Sequence, residues 1–300
     1  FRSYPIHIQT CNTQCLHILV AYNAKGQEYL KQIAEVKKCK MLERRQQTQR
    51  KLQLKRLKLK EFAIEHADEL LIGFRYREWK ENKALPVRIS LKTHPHLLLS
   101  GSSGSGKSYA LTMYIFQFMY KCAQYDIWLG DFKNSGRYEF VKKVQNAYYA
   151  VGNGVEVMVD DYYQLFCDVR DGIKTISKNQ ILILDEYMAW MQMLEMTDKK
   201  KEDKYKNIIG TLLMMGRDVK GVTFGVIIVV QRPDAVLFPK GARDNFMTAV
   251  ALGTLSAEAK TMLTDQTGSI PATVYGRGEG VARIDGSDEP VTEIMIPKII

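Results

Sequence analysis

No apolar run in the 300 residues comes near the roughly 20 needed for a helix to cross a bilayer, and the longest candidate, residues 15–22, is far too short. Cysteine is also scarce. Of the five, only Cys11 and Cys15 lie close together, and no second pair or histidine cluster completes a zinc site. A disulfide scaffold and a zinc module are therefore excluded, and a reduced compartment fits. The chain is expected in the cytoplasm, or at the inner face of the cell membrane through an anchor upstream of Phe1. Proline is missing between residues 26 and 72, so nothing there breaks a helix. Internal repeats are absent.

Acidic residues almost vanish from residues 31–60, where Glu35 and Glu43 face twelve Lys or Arg. That segment carries the whole formal net charge of +10, since 31 basic and 31 acidic side chains remain outside it. A polyanion, either DNA or an acidic membrane surface, is the natural partner of such a run. Its richness in helix formers predicts one long basic helix over residues 26–72. The apolar positions Ile33, Val36, Leu42, Leu52, Leu54, Leu57 and Leu59 hold no strict heptad, which disfavours a two-stranded coiled coil. The plain alternative is a solvated linker helix that contacts nothing.

From Leu85 the texture changes to short apolar runs separated by helical stretches, the alternation of a parallel sheet flanked by helices. The expected strands are residues 96–100, 126–130, 155–159, 181–185, 223–230 and 248–252. A helix is expected over 106–125 and a closing β-ribbon over 273–284. With 46% hydrophobic residues the chain can bury an ordinary core. Two parts are expected: a lead-in with the basic helix at 1–84 and one large α/β domain at 85–300.

The chemistry gathers at strand ends. Gly101-Ser102-Ser103-Gly104-Ser105-Gly106-Lys107-Ser108 satisfies GxxxxGK[ST] between an apolar strand and a helix, the context that makes the pattern a phosphate cradle. Glycines let backbone amides converge on a phosphate, and the helix N-terminus adds positive potential. Lys107 reaches the β- and γ-phosphates, and the Ser108 hydroxyl ligates Mg²⁺. A flexible Gly/Ser linker, the bland alternative, would not sit between three leucines and an apolar helix.

Ile181-Leu182-Ile183-Leu184-Asp185-Glu186 is an apolar strand ending in two carboxylates. Beside the phosphate loop, Asp185 would hold Mg²⁺ and Glu186 would polarise the attacking water; alone, such an ending is commonplace. Residues 223–230 form an almost wholly apolar strand ending in Gln231-Arg232-Pro233. Gln231 there faces the crevice where such sheets bind ligands and is the candidate γ-phosphate sensor, unless it only begins a turn imposed by Pro233. Gly130-Asp131-Phe132-Lys133 ends another strand and reads best as a polar turn with an internal ion pair.

Pro95-His96-Leu97-Leu98-Leu99-Ser100-Gly101, running into the phosphate loop, resembles the PHLLVAG-type entry of FtsK-type P-loop DNA translocases. Gly216-Arg217, Gly221, Gln231-Arg232-Pro233 and Gly276-Arg277-Gly278-Glu279-Gly280 resemble that family's later motifs in the same order. The resemblance covers residues 85–285. It implies a RecA-like P-loop NTPase with a mostly parallel central sheet flanked by helices, ATP and Mg²⁺ as ligands, and a homo-hexameric ring threaded by double-stranded DNA. Gly241-Ala242-Arg243-Asp244-Asn245-Phe246, with Val250-Ala251-Leu252-Gly253, looks most like the FtsK-like coupling ATPases of Gram-positive conjugative elements. That similarity implies mobile-element DNA as cargo, while the charge of the basic segment makes it the candidate contact for a membrane or secretion-channel partner. One departure concerns the arginine that chromosome-segregating members supply to a neighbour's site: Ala249 stands in its place. Arg217 and Arg243 are the candidate substitutes, each with a surface ion pair as the alternative. Two other functions stay open: a non-motor, nucleotide-gated adaptor for DNA or a secretion machine, and a phage or plasmid packaging ATPase.

Overall fold

The computed structural model describes residues 24–264, 270 and 274–298. The start of the expected lead-in, with the Cys11 and Cys15 pair, and the start of the expected ribbon at Thr273 lie outside them. The chain forms two compact units, Phe1–Lys55 and Arg56–Ile300. Helix α1 (Ala24–Glu65) shortens the expected basic helix at its far end. Within the first unit its described side chains are mostly exposed, Val36, Met41 and Leu42 among them, and they form no buried apolar stripe.

Within the second unit, the last turns of α1 bury Leu59 and Ala63, and the Arg56 guanidinium lies 5.4 Å from the centre of the Phe116 ring. The strands are β1 (Glu69–Arg75), β2 (Pro86–Ser90), β3 (His96–Gly101), β4 (Tyr125–Asp131), β5 (Ala147–Val151), β6 (Asn179–Asp185), β7 (Phe224–Val230), β8 (Thr248–Leu252), β9 (Glu279–Ile284) and β10 (Val291–Met295). They make one sheet in the order β2-β1-β10-β9-β8-β3-β7-β6-β4-β5, with the short helix α2 (Tyr76–Lys80) joining β1 to β2. The six strands from β8 to β5 run parallel and the remaining pairings are antiparallel. The expected class, a mostly parallel sheet flanked by helices, is what forms.

Strands β3 and β7 are buried along their whole length, as the leucine run of β3 and the unbroken apolar sequence of β7 suit strands covered on both faces. Leu98 enters a core with helices α4 (Gly154–Arg170), α5 (Tyr187–Thr197), α6 (Lys199–Met215) and α7 (Ala257–Thr264). Leu97 and Leu99 enter a second core with helix α3 (Lys107–Tyr120), the end of α1, and strands β1 and β2. Alternation along one strand thus feeds two cores on opposite faces.

Three expectations need correction. Residues 155–159 are the first turns of α4: Val155, Met158, Val159, Tyr162, Phe166 and Val169 are its buried residues, a helical spacing that continues past the short alternation read as a strand. The strand there is β5, just upstream. Residues 69–72 belong to β1 instead of the basic helix. The division also falls earlier than 84/85, because β1 and β2 pair within the same sheet as the rest. Gln117 of α3 supplies what the β1 backbone needs: its side chain accepts from Leu71 N at 2.8 Å and donates to Leu71 O at 2.9 Å, while Tyr114 Oη donates to Ile72 O at 3.0 Å. Buried backbone polar groups must be paired, and no local pattern announces that two side chains of a distant helix will do it.

Candidate functional site: a phosphate cradle at the strand ends

The carboxyl ends of β3, β7, β6 and β4 open onto one side of the sheet, where the topology reverses around β3. A cavity of about 610 Å³ lies there. Its lining includes Gly104, Lys107, Ser108, Asp185, Glu186 and Gln231, so three separate motifs of the sequence converge on one space.

The loop between β3 and α3 has little room for a side chain. Gly106 adopts φ +108, and a Cβ there would fall 2.6 Å from Gly278 N. Gly278 N in turn donates to Ser105 O at 2.7 Å, so the strand-entry loop before β9 clamps the cradle from outside. Ser102, Ser103 and Gly104 are exposed while Ser105 is buried. Lys107 turns back over the loop, its ammonium donating to Gly101 O and, at 3.0 Å, to Ser102 O. Burial lowers its pKa, opposed by the nearby Glu186 and Asp185 carboxylates. A lysine resting on neutral carbonyls has no carboxylate bonded to it among the described residues and can exchange those carbonyls for the oxygens of an anion.

Asp185 is nearly buried at the end of β6. Its Oδ2 accepts from Tyr138 Oη at 2.8 Å and its Oδ1 from Glu186 N at 3.0 Å. Burial pushes its pKa up to about 6, with Glu186 and Asp131 also raising it. Glu186 takes a left-handed backbone, φ 57, which costs a residue with a Cβ about 1 kcal/mol. Its carboxylate pairs with Lys133 Nζ at 3.0 Å and accepts a long contact from Gln231 Nε2 at 3.5 Å. Lys133 therefore joins the neighbouring carboxylate motif, whereas Asp131 accepts from Ser135 N, Ser135 Oγ and Tyr149 Oη.

Two oxygen donors of the hard-cation type, the Ser108 hydroxyl and the Asp185 carboxylate, line the same cavity. This is the donor chemistry magnesium takes, leaving its other positions to phosphate and water. The residues present fit the ion.

Arg217 and Arg243 are not brought to this cavity. The Arg217 guanidinium donates to Thr93 O and contacts Met247 Sδ, next to the starts of β3 and β8. Arg243 sits in the short helical turn Arg243–Asn245 that also precedes β8. Arg217 thus lies near the amino end of β3, whose carboxyl end leads into the cradle, and Arg243 near the amino end of the neighbouring β8. Ala249 is fully buried in β8, in register with Leu98 and Arg283.

The structure adds residues that local reading missed. Arg137 Nη1 donates to Ser108 Oγ, Tyr138 holds Asp185, and Arg277 stacks 4.4 Å from the centre of the Tyr109 ring at the cavity wall. Arg277 lay inside a recognised motif, but Arg137 and Tyr138 follow a turn with no periodicity to mark them.

A glycine-rich loop closing on a lysine at the head of a helix, with an acid at the end of a nearby parallel strand, defines a P-loop nucleotide-binding fold. No protein-family model matches the chain. The FtsK domain-containing protein YdcQ of Bacillus subtilis (strain 168) is 25% identical over 236 residues, spanning 73% of this chain and 48% of YdcQ, so the chain matches about half of that relative's length. Among solved structures, the cytoplasmic domain of the type VII secretion ATPase EccC of Thermomonospora curvata gives a TM-score of 0.58 at 17% identity, covering 78% of this chain and 29% of EccC. The pCW3 conjugation coupling protein TcpA, in monomer form with ATPγS, gives 0.57 at 18% identity, covering 78% and 66%. The resemblance drawn from the motifs is thus met in sequence by an FtsK domain-containing protein and in fold by the domains of a secretion ATPase and a conjugation coupling protein.

Proposed function

We propose that this domain hydrolyses ATP to move double-stranded DNA, as the motor part of a conjugative or other mobile element's transfer machinery. The observation that carries the reading is the convergence of Lys107, Ser108, Asp185, Glu186 and Gln231 on one cavity. A protein that only holds nucleotide does not need Glu186 beside Asp185, whereas hydrolysis needs a group to take the proton of the attacking water.

Each role follows from placement. The backbone amides from Ser103 to Lys107 and the amino end of α3 grip the β-phosphate. Lys107 leaves its carbonyls to neutralise β- and γ-phosphate oxygens. Ser108 and Asp185 would hold Mg²⁺, which when bound offsets charge on those oxygens. Glu186, freed from Lys133, orients a water in line with the γ-phosphorus and accepts its proton as the bond to the β-bridging oxygen breaks. Gln231, within reach of Glu186, links the state of the γ-phosphate to the end of β7. In a hexameric ring Arg217 or Arg243 would come from the neighbouring subunit, a role compatible with their place at the opposite strand ends.

The DNA part draws support from the charge of residues 31–60 and from the likeness to a protein named as a conjugation coupling protein. The test is ATP turnover with and without duplex DNA across protein concentrations. Turnover that rises with duplex DNA and with assembly is expected; turnover indifferent to DNA at every salt concentration refutes it. Replacing the Lys and Arg residues between 31 and 55 with Gln should flatten the salt dependence of DNA affinity, by about 0.9 in log–log slope for each phosphate that is no longer neutralised. A fall in affinity for anionic vesicles instead would assign the segment to the membrane.

One observation favours a second reading, the nucleotide-gated adaptor. Ala249 is sealed inside the sheet, so the neighbour-directed arginine of segregating relatives has no counterpart at that position. Single-turnover hydrolysis that does not change on assembly would select the adaptor.

A further inference from the structure

We propose that Arg137 is a phosphate-contacting arginine acting within its own subunit, the cation that reads the terminal phosphate of a bound nucleoside triphosphate. The proposal rests on the ATP reading above and goes beyond its motifs.

Arg137 leaves the end of β4 by a tight turn through Gly136, whose φ is +71. Its neighbour Tyr138 is buried and donates to Asp185 Oδ2 at 2.8 Å. That bond anchors the dipeptide on the acid side of the cavity. Arg137 itself is exposed, and its Nη1 reaches Ser108 Oγ, across 29 residues of chain. Adjacent residues of one loop thus touch both proposed magnesium-holding groups, Tyr138 the carboxylate and Arg137 the hydroxyl.

A guanidinium on a neutral hydroxyl lacks a counter-charge. Among the described residues no carboxylate pairs with Arg137, whereas Lys133 is matched by Glu186 at 3.0 Å. The cavity wall carries Lys107, Arg137 and Arg277 against Asp185 and Glu186, with Lys133 already engaging one of those carboxylates. An anion is what the site lacks. The planar fork of a guanidinium matches two phosphate oxygens at once, and it holds its charge at any working pH. Ser108 would hold Mg²⁺ beside the β- and γ-phosphates, so a side chain already on that hydroxyl borders the space a terminal phosphate would fill. Such a cation would act in the place left without one by Ala249, from within the same chain.

The test is equilibrium binding of fluorescent ATPγS and fluorescent ADP, each with excess Mg²⁺, to the full chain carrying Arg137, Arg137→Ala or Arg137→Lys. The expected result is a loss of about tenfold or more in ATPγS affinity for R137A, the effect of one charge-assisted hydrogen bond. ADP affinity should fall by less than about threefold, which also shows that the variant is folded, and R137K should lie between. Equal effects on both nucleotides would overturn the proposal, as would unchanged affinity. Tighter binding in R137A would also overturn it, because Arg137 would then merely occupy the ion's place. A chain with native Arg137 that binds neither nucleotide overturns the ATP reading itself, a distinct outcome.

Discussion

Acidifying the protein from pH 8 to pH 5 should weaken it through one side chain, His96. The imidazole is 3% exposed at the start of β3, and neither ring nitrogen has a hydrogen-bond partner among the described residues. Burial, aided by the nearby Arg217 charge, lowers its pKa to about 3 from an ordinary 6.5. The sign follows from linkage: the unfolded chain binds a proton near pH 6.5 that the folded chain refuses. The stability is fully present above that pH and is lost as pH falls toward the folded value. At pH 5 the expected loss is about 2 kcal/mol, from about 1.4 kcal/mol per pH unit below 6.5. For a domain of this size that lowers Tm by roughly 4–8 °C. Carboxylates titrate in the same window, and Asp185, whose pKa is raised by burial, works in the opposite direction. The assay is therefore a comparison: urea unfolding of the wild type and of His96→Leu at pH 8 and pH 5. The difference between the two proteins should shift by about 2 kcal/mol in favour of the variant on acidification. An unchanged difference would mean that the ring is solvated or paired, and the burial argument would be wrong.

Other perturbations probe the site. Glu186→Gln should bind ATP with near-native affinity while turnover falls about a hundredfold or more, the usual worth of a general base; substantial residual turnover in stopped-flow phosphate release would remove Glu186 from the chemistry. Lys107→Ala should abolish measurable nucleotide binding in calorimetry without lowering Tm, because the lysine ammonium bonds only to its own loop. Gly106→Ala should lose more than about 1 kcal/mol of stability together with nucleotide affinity, since its Cβ would strike Gly278 N and its backbone is left-handed. A stable G106A with native affinity would show that the Gly278 clamp is not needed.

How much of this was written in the sequence depends on how far apart the partners lie. The phosphate loop was legible because its chemistry is contiguous: eight residues, a strand before and a helix after. Asp185, Glu186 and Gln231 were legible as strand endings, since an unbroken apolar run that stops at a polar residue marks both a buried strand and the edge where its chain emerges. Where two periods compete over a few residues, the reading failed, as at 155–159. It failed also at β1, whose apolar run adjoins the basic helix, and at β10, which pairs with β9 only after the turn that follows Ile284.

The sequence alone determined the parallel core and the strand–loop–helix turn that leads into Lys107, because burial and backbone geometry act on neighbouring residues and leave local traces. Only the tertiary structure decided that Tyr138 holds Asp185 across 47 residues, that Arg137 rests on Ser108, and that Arg217 and Arg243 sit away from the cavity of their own chain. Contacts between side chains on different loops depend on where the sheet places those loops, and no local spacing records that.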